Sequence, residues 1–301
     1  MSVAFWLKRR SALASSSDAQ TPSVVRNLAS AQEQGNHGRI LQRAPELVNR
    51  RRTRRALWRR GALLHYARIN IFGPYLMSSA ALSVSRALQQ RFSVRAFKDA
   101  PVAQEVLDEI FRLAQHAPSN CNVQPCRAYV VSGTAKDQLQ QELVDAVTSG
   151  KPANPDFEWD VQYQGVHRER QFGSANALYG AMGIERKDKE RRQVAMLRNW
   201  QFFGAPHAAF FTMEKYLKMT GAVDLGIYAQ TLALLMAERG ISSCMQGALG
   251  MFPDPARRLF GLPDEVGILF GMSFGYADDE APANKARTDR VALDTAVRFF
   301  G

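Results

Sequence analysis

Between residues 102 and 117 apolar side chains recur at Val106, Leu107, Ile110, Leu113 and Ala114. That is a helical period, bounded by Pro101 and Pro118, and it predicts an amphipathic helix. Arg127 to Ser132 alternates as a strand closed by Gly133, and Ala135 to Val147 returns to a helical pattern. Residues 150–204 open on a loop rich in Pro, Asn and Asp, then carry two polar helical stretches, Val161 to Met182 and Lys187 to Trp200. This insert reads as a lid or wall more than as core. His207 to Met213 predicts a buried strand, Asp224 to Arg239 a buried helix ended by Gly240, Ile241 to Met245 a short strand and Val266 to Phe274 a long one. Helices and strands interleave without strand–helix–strand regularity, and no internal repeat is present.

No stretch reaches the roughly 18 uninterrupted apolar residues of a membrane-spanning helix. Cys121, Cys126 and Cys244 form no Cys-x-x-Cys pair, which argues against a disulfide framework or a zinc site. The expectation is a soluble, cytoplasmic protein without a metal. The net charge of +11 suggests a polyanionic partner until its distribution is read. Residues 1–76 hold fourteen basic side chains against three acidic ones, and the remainder carries 25 of each. The folded part is therefore expected to bind no nucleic acid. Residues 1–76, with runs such as Arg50-Arg51-Arg52-Thr53-Arg54-Arg55, show no sustained period and read as a disordered extension. A start codon placed too early, an organelle-targeting segment and a basic arm for nucleic acid or anionic lipid all fit them.

Gly271-Met272-Ser273-Phe274-Gly275 matches the Gly-x-Ser-x-Gly nucleophile elbow, but a loop follows it and all five histidines precede Ser273, the wrong order for that triad. A strand using small residues where something packs closely explains it better. Neither a Gly-x-Gly-x-x-Gly turn nor a Walker loop is present.

Three segments carry candidate chemistry. Arg91-Phe92-Ser93-Val94-Arg95 sets two guanidinium forks around a hydroxyl, which suits a phosphate dianion. Ala117 to Pro125 contains Pro118, Ser119, Asn120, Asn122 and Gln124, whose amides offer donor and acceptor together to the edge of a planar heterocycle. Asn284-Lys285-Ala286-Arg287 adds a second cationic pair.

In order and wording these segments resemble the nitroreductase family of FMN-dependent oxidoreductases. The resemblance covers about residues 84–290. It includes Arg91 to Phe97, the loop Ala117 to Pro125, Gly240 to Gly247, Leu262 to Glu265, and Gly275-Tyr276 leading to Lys285-Ala286-Arg287. The insert, with Leu178-Tyr179-Gly180 and Phe202 to Pro206, is similar to the branch that reduces nitroaromatic acids. The resemblance implies an α+β fold with a central, mostly antiparallel sheet flanked by helices, in an intertwined homodimer whose FMN sites lie between subunits. Residues 77–301 would form that domain, with the insert at about 150–204. By motif position Arg91, Phe92, Ser93, Arg95, Lys285 and Arg287 would hold the phosphate and part of the ring from one subunit. Pro118, Ser119, Asn120, Asn122 and Gln124 would come from the other, and Met245, Gln246 and Gly247 would lie along the flavin. Two electrons would pass from NADPH or NADH to a small nitroaromatic or quinone-type acceptor in ping-pong fashion, with no side chain as acid or base. A reductive dehalogenase or other flavin oxidoreductase of the same superfamily, such as an oxidase acting on a bound organic substrate, or a basic-arm binding protein with a vestigial flavin fold, would be the rivals. The chain departs from the family pattern in placing Cys126 where an aromatic residue is usual, Met245 where Pro is frequent and Gly247 where a carboxylate is frequent.

Overall fold

The computed structural model describes residues 82–158 and 161–301. The expectation of disorder over residues 1–76 lies outside them. Four strands form one sheet: β1 (Arg127–Ser132), β2 (His207–Glu214), β3 (Ser242–Gln246) and β4 (Val266–Gly275), in the order β1-β2-β4-β3. Every neighbouring pair is antiparallel, with His207 opposite Phe274, Arg127 opposite Thr212 and Gln246 opposite Gly271. The helices are α1 (Val84–Gln90), α2 (Gln104–Ala114), α3 (Gly133–Thr148), α4 (Gly165–Ala181), α5 (Lys189–Leu197), α6 (Lys218–Glu238), α7 (Asp254–Phe260) and the short α8 (Leu293–Ala296).

The continuous apolar runs of β2 and β4 follow from burial on both faces. Successive side chains point to opposite sides of a strand. Accordingly Ala208 and Phe210 join Leu139, Leu143 and Val147 of α3 in one core, while Ala209, Phe211 and Met213 join Ile110 of α2 and Leu225, Leu232 and Met236 of α6 in the other. Where the sheet is covered on both sides, small residues mark close approaches. A Cβ on Gly271 would lie 2.9 Å from the Ala209 carbonyl oxygen, which accounts for one glycine of the Gly-x-Ser-x-Gly run. Ser273 is fully buried in β4 and donates its hydroxyl hydrogen bond to Gln246 Oε1, so it is no exposed nucleophile.

The four strands and α2 to α6 agree in type with the sequence reading, some boundaries move, and α1, α7 and α8 were not expected. Gly133, expected to close β1, is instead the first residue of α3, with φ at +53°. α6 starts at Lys218, six residues before the expected Asp224. At 24 residues with its leading turn it is long and apolar enough by composition to cross a membrane, but it supplies much of the second core. The insert is only partly a wall. α4 and α5 bury no residue, whereas Trp200, Phe202 and Phe203 just after them sit in the first core. Trp200 Nε1 donates to the Ala248 carbonyl at 3.0 Å and Gln246 Nε2 to the Asn199 carbonyl at 2.8 Å, tying the end of the insert to the end of β3. At the other end of the insert the buried Asp156 carboxylate accepts from Arg257, Lys215 and the Ile268 N–H.

His207 begins β2, stacked on Phe274, and its Nε2 accepts the Val102 N–H at 2.9 Å. The ring proton is therefore on Nδ1, which has no partner among the described residues. Burial, and secondarily the charge of Lys136, lowers its pKa below the ordinary 6.5. As pH falls through 6.5 the unfolded chain takes up a proton that the folded chain refuses, so this group's contribution to stability declines on acidification. The urea midpoint should drop between pH 7.5 and 5.5, and His207→Gln, though less stable at pH 7.5, should show a shallower drop. An unchanged slope in the variant would assign the pH dependence to other groups.

Candidate active site

After α1 the chain runs along the end of β3. Ser93 makes a parallel bridge to Ser243, the Val94 N–H donates to the Ser243 carbonyl at 3.2 Å, and Phe97 pairs with Ala277. Val94, Ala96 and Phe97 are buried, and the strand-like alternation turns Arg91, Ser93 and Arg95 to the other side. Two cations and a hydroxyl thus share a face because their spacing is two.

Asn284 holds this segment against the C-terminal turn. Buried to 3 % exposure, its Oδ1 accepts the Arg95 N–H at 2.7 Å, and its Nδ2 donates to the carbonyls of Ala96 and Asp278, both at 2.8 Å. The next residue, Lys285, is exposed beside the clamp. Arg287 is less free: its Nη1 donates to the carbonyls of Asn284 and Ala286, and its guanidinium lies 3.8 Å from the centre of the Phe92 ring. Phe92, half-buried, is therefore the shelf on which Arg287 rests.

Along β3, Met245 and Gly247 are exposed while Gln246 points inward, its amide spent on Asn199 and Ser273. Cys244 lies beneath them. Burial pushes its thiol up, and Arg95, a Ser93 hydrogen bond and Arg91 draw it partly back, which places both guanidinium groups within electrostatic reach of one sulfur. Arg91, Arg95 and Lys285 have no acidic partner among the described residues.

Arg95 also lines a cavity of about 250 Å³ whose other walls come from α4, α5 and the turn after α5, among them Tyr179, Arg198, Asn199 and Phe203. No carboxylate lines it. Arg198, Asn199 and Tyr179 were not among the residues expected from sequence. The signal available was positional: Arg198 and Asn199 immediately precede the buried Trp200, where the polar insert turns into core.

The loop from Pro118 to Gln124 stands apart, exposed for most of its length. Cys121, Asn122 and Gln124 all adopt left-handed φ (49°, 57° and 48°), held in part by Ser119, whose Oγ accepts the Gln124 N–H at 2.9 Å. The Gln124 side chain donates to the Asn122 carbonyl at 3.3 Å. No hydrogen bond among the described residues joins this loop to the Arg91 segment or to the cavity. One copy thus lays Arg91, Ser93 and Arg95 along the end of β3, where Met245 and Gly247 are exposed, with Lys285 next to the Asn284 clamp, and carries Pro118, Ser119, Asn120, Asn122 and Gln124 on a loop with no hydrogen bond to that segment among the described residues. Beside the loop, Cys126 packs into the second core, where burial pushes its thiol up to about 12.

These donors suit FMN. Uncompensated cations with a serine hydroxyl fit its phosphate, and the acid-free cavity with two amides, Gln171 and Asn199, and two guanidinium groups fits a ring edge that accepts hydrogen bonds.

A family model described as "Nitroreductase family" matches residues 88–276. Nitroreductase NfnB of Mycolicibacterium smegmatis is 39% identical over 220 residues, 73% of this chain and 93% of that protein. A 4-nitrobenzoate reductase of Pseudomonas putida is 33% identical over 211 residues, 70% of this chain and 92% of the relative. The crystal structure of the FMN-dependent NfnB from Mycobacterium smegmatis in complex with NADPH superposes with a TM-score of 0.69 at 39% identity, covering 72% of this chain and 97% of that one.

Asn284→Ala removes three hydrogen bonds in a mostly buried place: the Arg95 N–H loses its partner, and the Ala96 and Asp278 carbonyls are left with only the N–H groups of Asp278 and Ala281, at 3.1 and 3.2 Å. It should lower unfolding free energy by about 2–4 kcal/mol and weaken anion binding at Arg95, read by urea unfolding and by FMN titration. Loss of stability with FMN affinity intact would show that the clamp does not set the Arg95 position.

Proposed function

The chain belongs to the nitroreductase family, and we propose that two copies build two FMN sites between them, each using the Arg91 face of one subunit and the Pro118–Gln124 loop of the other. The activity is that of an FMN-dependent, NADPH-using oxidoreductase that reduces nitroaromatic compounds. The observation that carries the assignment is that Arg91, Arg95 and Lys285 have no acidic partner among the described residues and that Arg95 lines a cavity with no carboxylate in its wall.

When bound, FMN supplies two-electron exchange between a reduced nicotinamide and a nitroaromatic acceptor. The protein's share is placement and charge. Arg91, Ser93 and Lys285 hold the phosphate, and Arg287, fixed on Phe92, adds positive potential at their edge. Arg95, Arg198 and Asn199, which line one cavity, would hold the polar edge of a bound flavin ring, where fixed cations would favour added negative charge. Met245 and Gly247 leave the end of β3 open, so donor and acceptor use the same face in turn. Use of one face by both in turn would give ping-pong kinetics, with protons drawn from solvent.

Subunit pairing is supported by what one copy leaves uncovered. Met219, Val223 and Ile227 recur every four residues as an exposed apolar stripe on α6, with Tyr216 ahead of them. Phe299 and Phe300 at the C-terminus are 85% and 91% exposed. Apolar surface of this kind, and a cofactor loop with no hydrogen bond, among the described residues, to the segment that carries the cations, are both accounted for by a second copy.

The purified protein should show a flavin spectrum after incubation with FMN, be bleached by NADPH under anaerobic conditions, and recover colour on adding a nitrobenzoate. No bleaching by either nicotinamide would end the assignment. Arg91→Ala and Asn122→Ala should each abolish most activity, and mixing them under conditions of subunit exchange should restore up to a quarter of wild-type activity per site, since half the dimers formed are mixed and each carries one intact site of two. Exchange without recovery would place each site within one chain.

A further inference from the structure

Asp224 has no part in the roles above, yet it is 5% exposed in the middle of α6 and carries a carboxylate. Its Oδ1 accepts the backbone N–H of Asn120 at 3.1 Å, and its Oδ2 is buried with no partner among the described residues. Leaving a carboxylate oxygen buried and unpaired is costly, and a neutral or apolar residue would avoid that cost. The one bond it does make reaches the base of the exposed loop.

That loop needs an anchor. Three non-glycine residues in five, Cys121, Asn122 and Gln124, are left-handed, a conformation that costs energy at each position and persists only where the surroundings over-determine it. From inside the loop come the Ser119 Oγ bond to Gln124 and the Asn122 N–H to the Ser119 carbonyl at 3.0 Å. Neither connects the loop to the body. Asn120 is the residue through which a buried element grips it, just before the first left-handed position. One turn after Asp224, Tyr228 accepts from Gln115 at 3.0 Å, so the same face of α6 also holds the chain on the approach to the loop.

We propose that Asp224 is a positioning residue for the cofactor: by holding the Asn120 N–H it locks the Ser119–Gln124 loop in the conformation that meets FMN. The inference rests on the FMN reading and names the residue of α6 that shapes the loop's half of the site. A charged acceptor matters here because a charge-assisted hydrogen bond is roughly twice as strong as a neutral one. The unpaired Oδ2 is then the cost of keeping the acid.

The test is FMN affinity of the full chain, measured by fluorescence quenching well below each variant's Tm, alongside the Tm of the FMN-free protein. Asp224→Ala should weaken FMN by about tenfold or more, the equivalent of one charge-assisted bond. Asp224→Asn retains an acceptor of the same shape without the charge and relieves the buried anion. It should bind FMN about threefold to fivefold more weakly than wild type, with a Tm equal to or above it. A role in stability alone predicts the opposite pattern, with Tm following the substitution and FMN affinity constant. Folded Asp224→Ala binding FMN within twofold of wild type overturns the proposal, and if that variant does not fold, wild-type affinity in Asp224→Asn does so. Wild-type protein that binds no FMN would overturn the functional reading and this inference with it, whereas normal wild-type binding with unaffected variants overturns this inference alone.

Discussion

Burial of β2 and β4 on both faces is the constraint from which the rest of the architecture follows. A strand pair without a solvent side must be covered above and below, and α3 with α7 on one side and α2 with α6 on the other do so. Polar groups that enter this region must be satisfied internally. Gln246 and Ser273 satisfy one another, and the remaining amide of Gln246 reaches out to the Asn199 carbonyl. The sheet's internal hydrogen bonding thereby fixes the end of the insert, and with it Arg198 and Asn199, at the wall of the cavity.

The electrostatics of the site depend on what is missing from it. Elsewhere cations are neutralised within the fold, as Arg257 and Lys215 are by Asp156, Arg239 by Glu109 and Arg258 by Glu142. Among the described residues Arg91, Arg95 and Lys285 are not, and Asn284 holds the Arg95 backbone with neutral hydrogen bonds that leave its charge uncompensated. In a partly dry site, uncompensated charge of this kind is worth more than on an open surface. It suits a phosphate and a ring that gains electrons.

Legibility of the site varied with the range of the interactions. The Arg91–Arg95 cluster was readable because two cations and a hydroxyl lie within five consecutive residues, and the exposed amide loop because it sits between a periodic helix and a strand. Arg287 was readable as a cation, but its resting place on Phe92 was not, since that contact joins residues 195 apart in the chain. Gln246 shows the same limit. Its position at the end of β3 was expected, yet the inward direction of its side chain follows from pairing with Ser273 across the sheet. The insert, expected as a wall, contributes Trp200, Phe202 and Phe203 to the core, because a polar helical pattern says nothing about the aromatic turn that ends it.

By itself the sequence determined the four strands and the helices α2 to α6, the apolar runs that would be doubly buried, the neutrality of the chain beyond residue 76 and the residue types able to hold a phosphate. These are properties of spacing and composition, set by periods of two and 3.6 residues and by side-chain charge. Tertiary structure alone decided which cations are left unpaired, that Asn284 is a clamp, that Arg198 and Asn199 join Arg95 around one cavity, and that Asp224 reaches the loop 104 residues before it. Each of those is a contact between segments far apart in the chain, and no local period encodes which distant segments will meet.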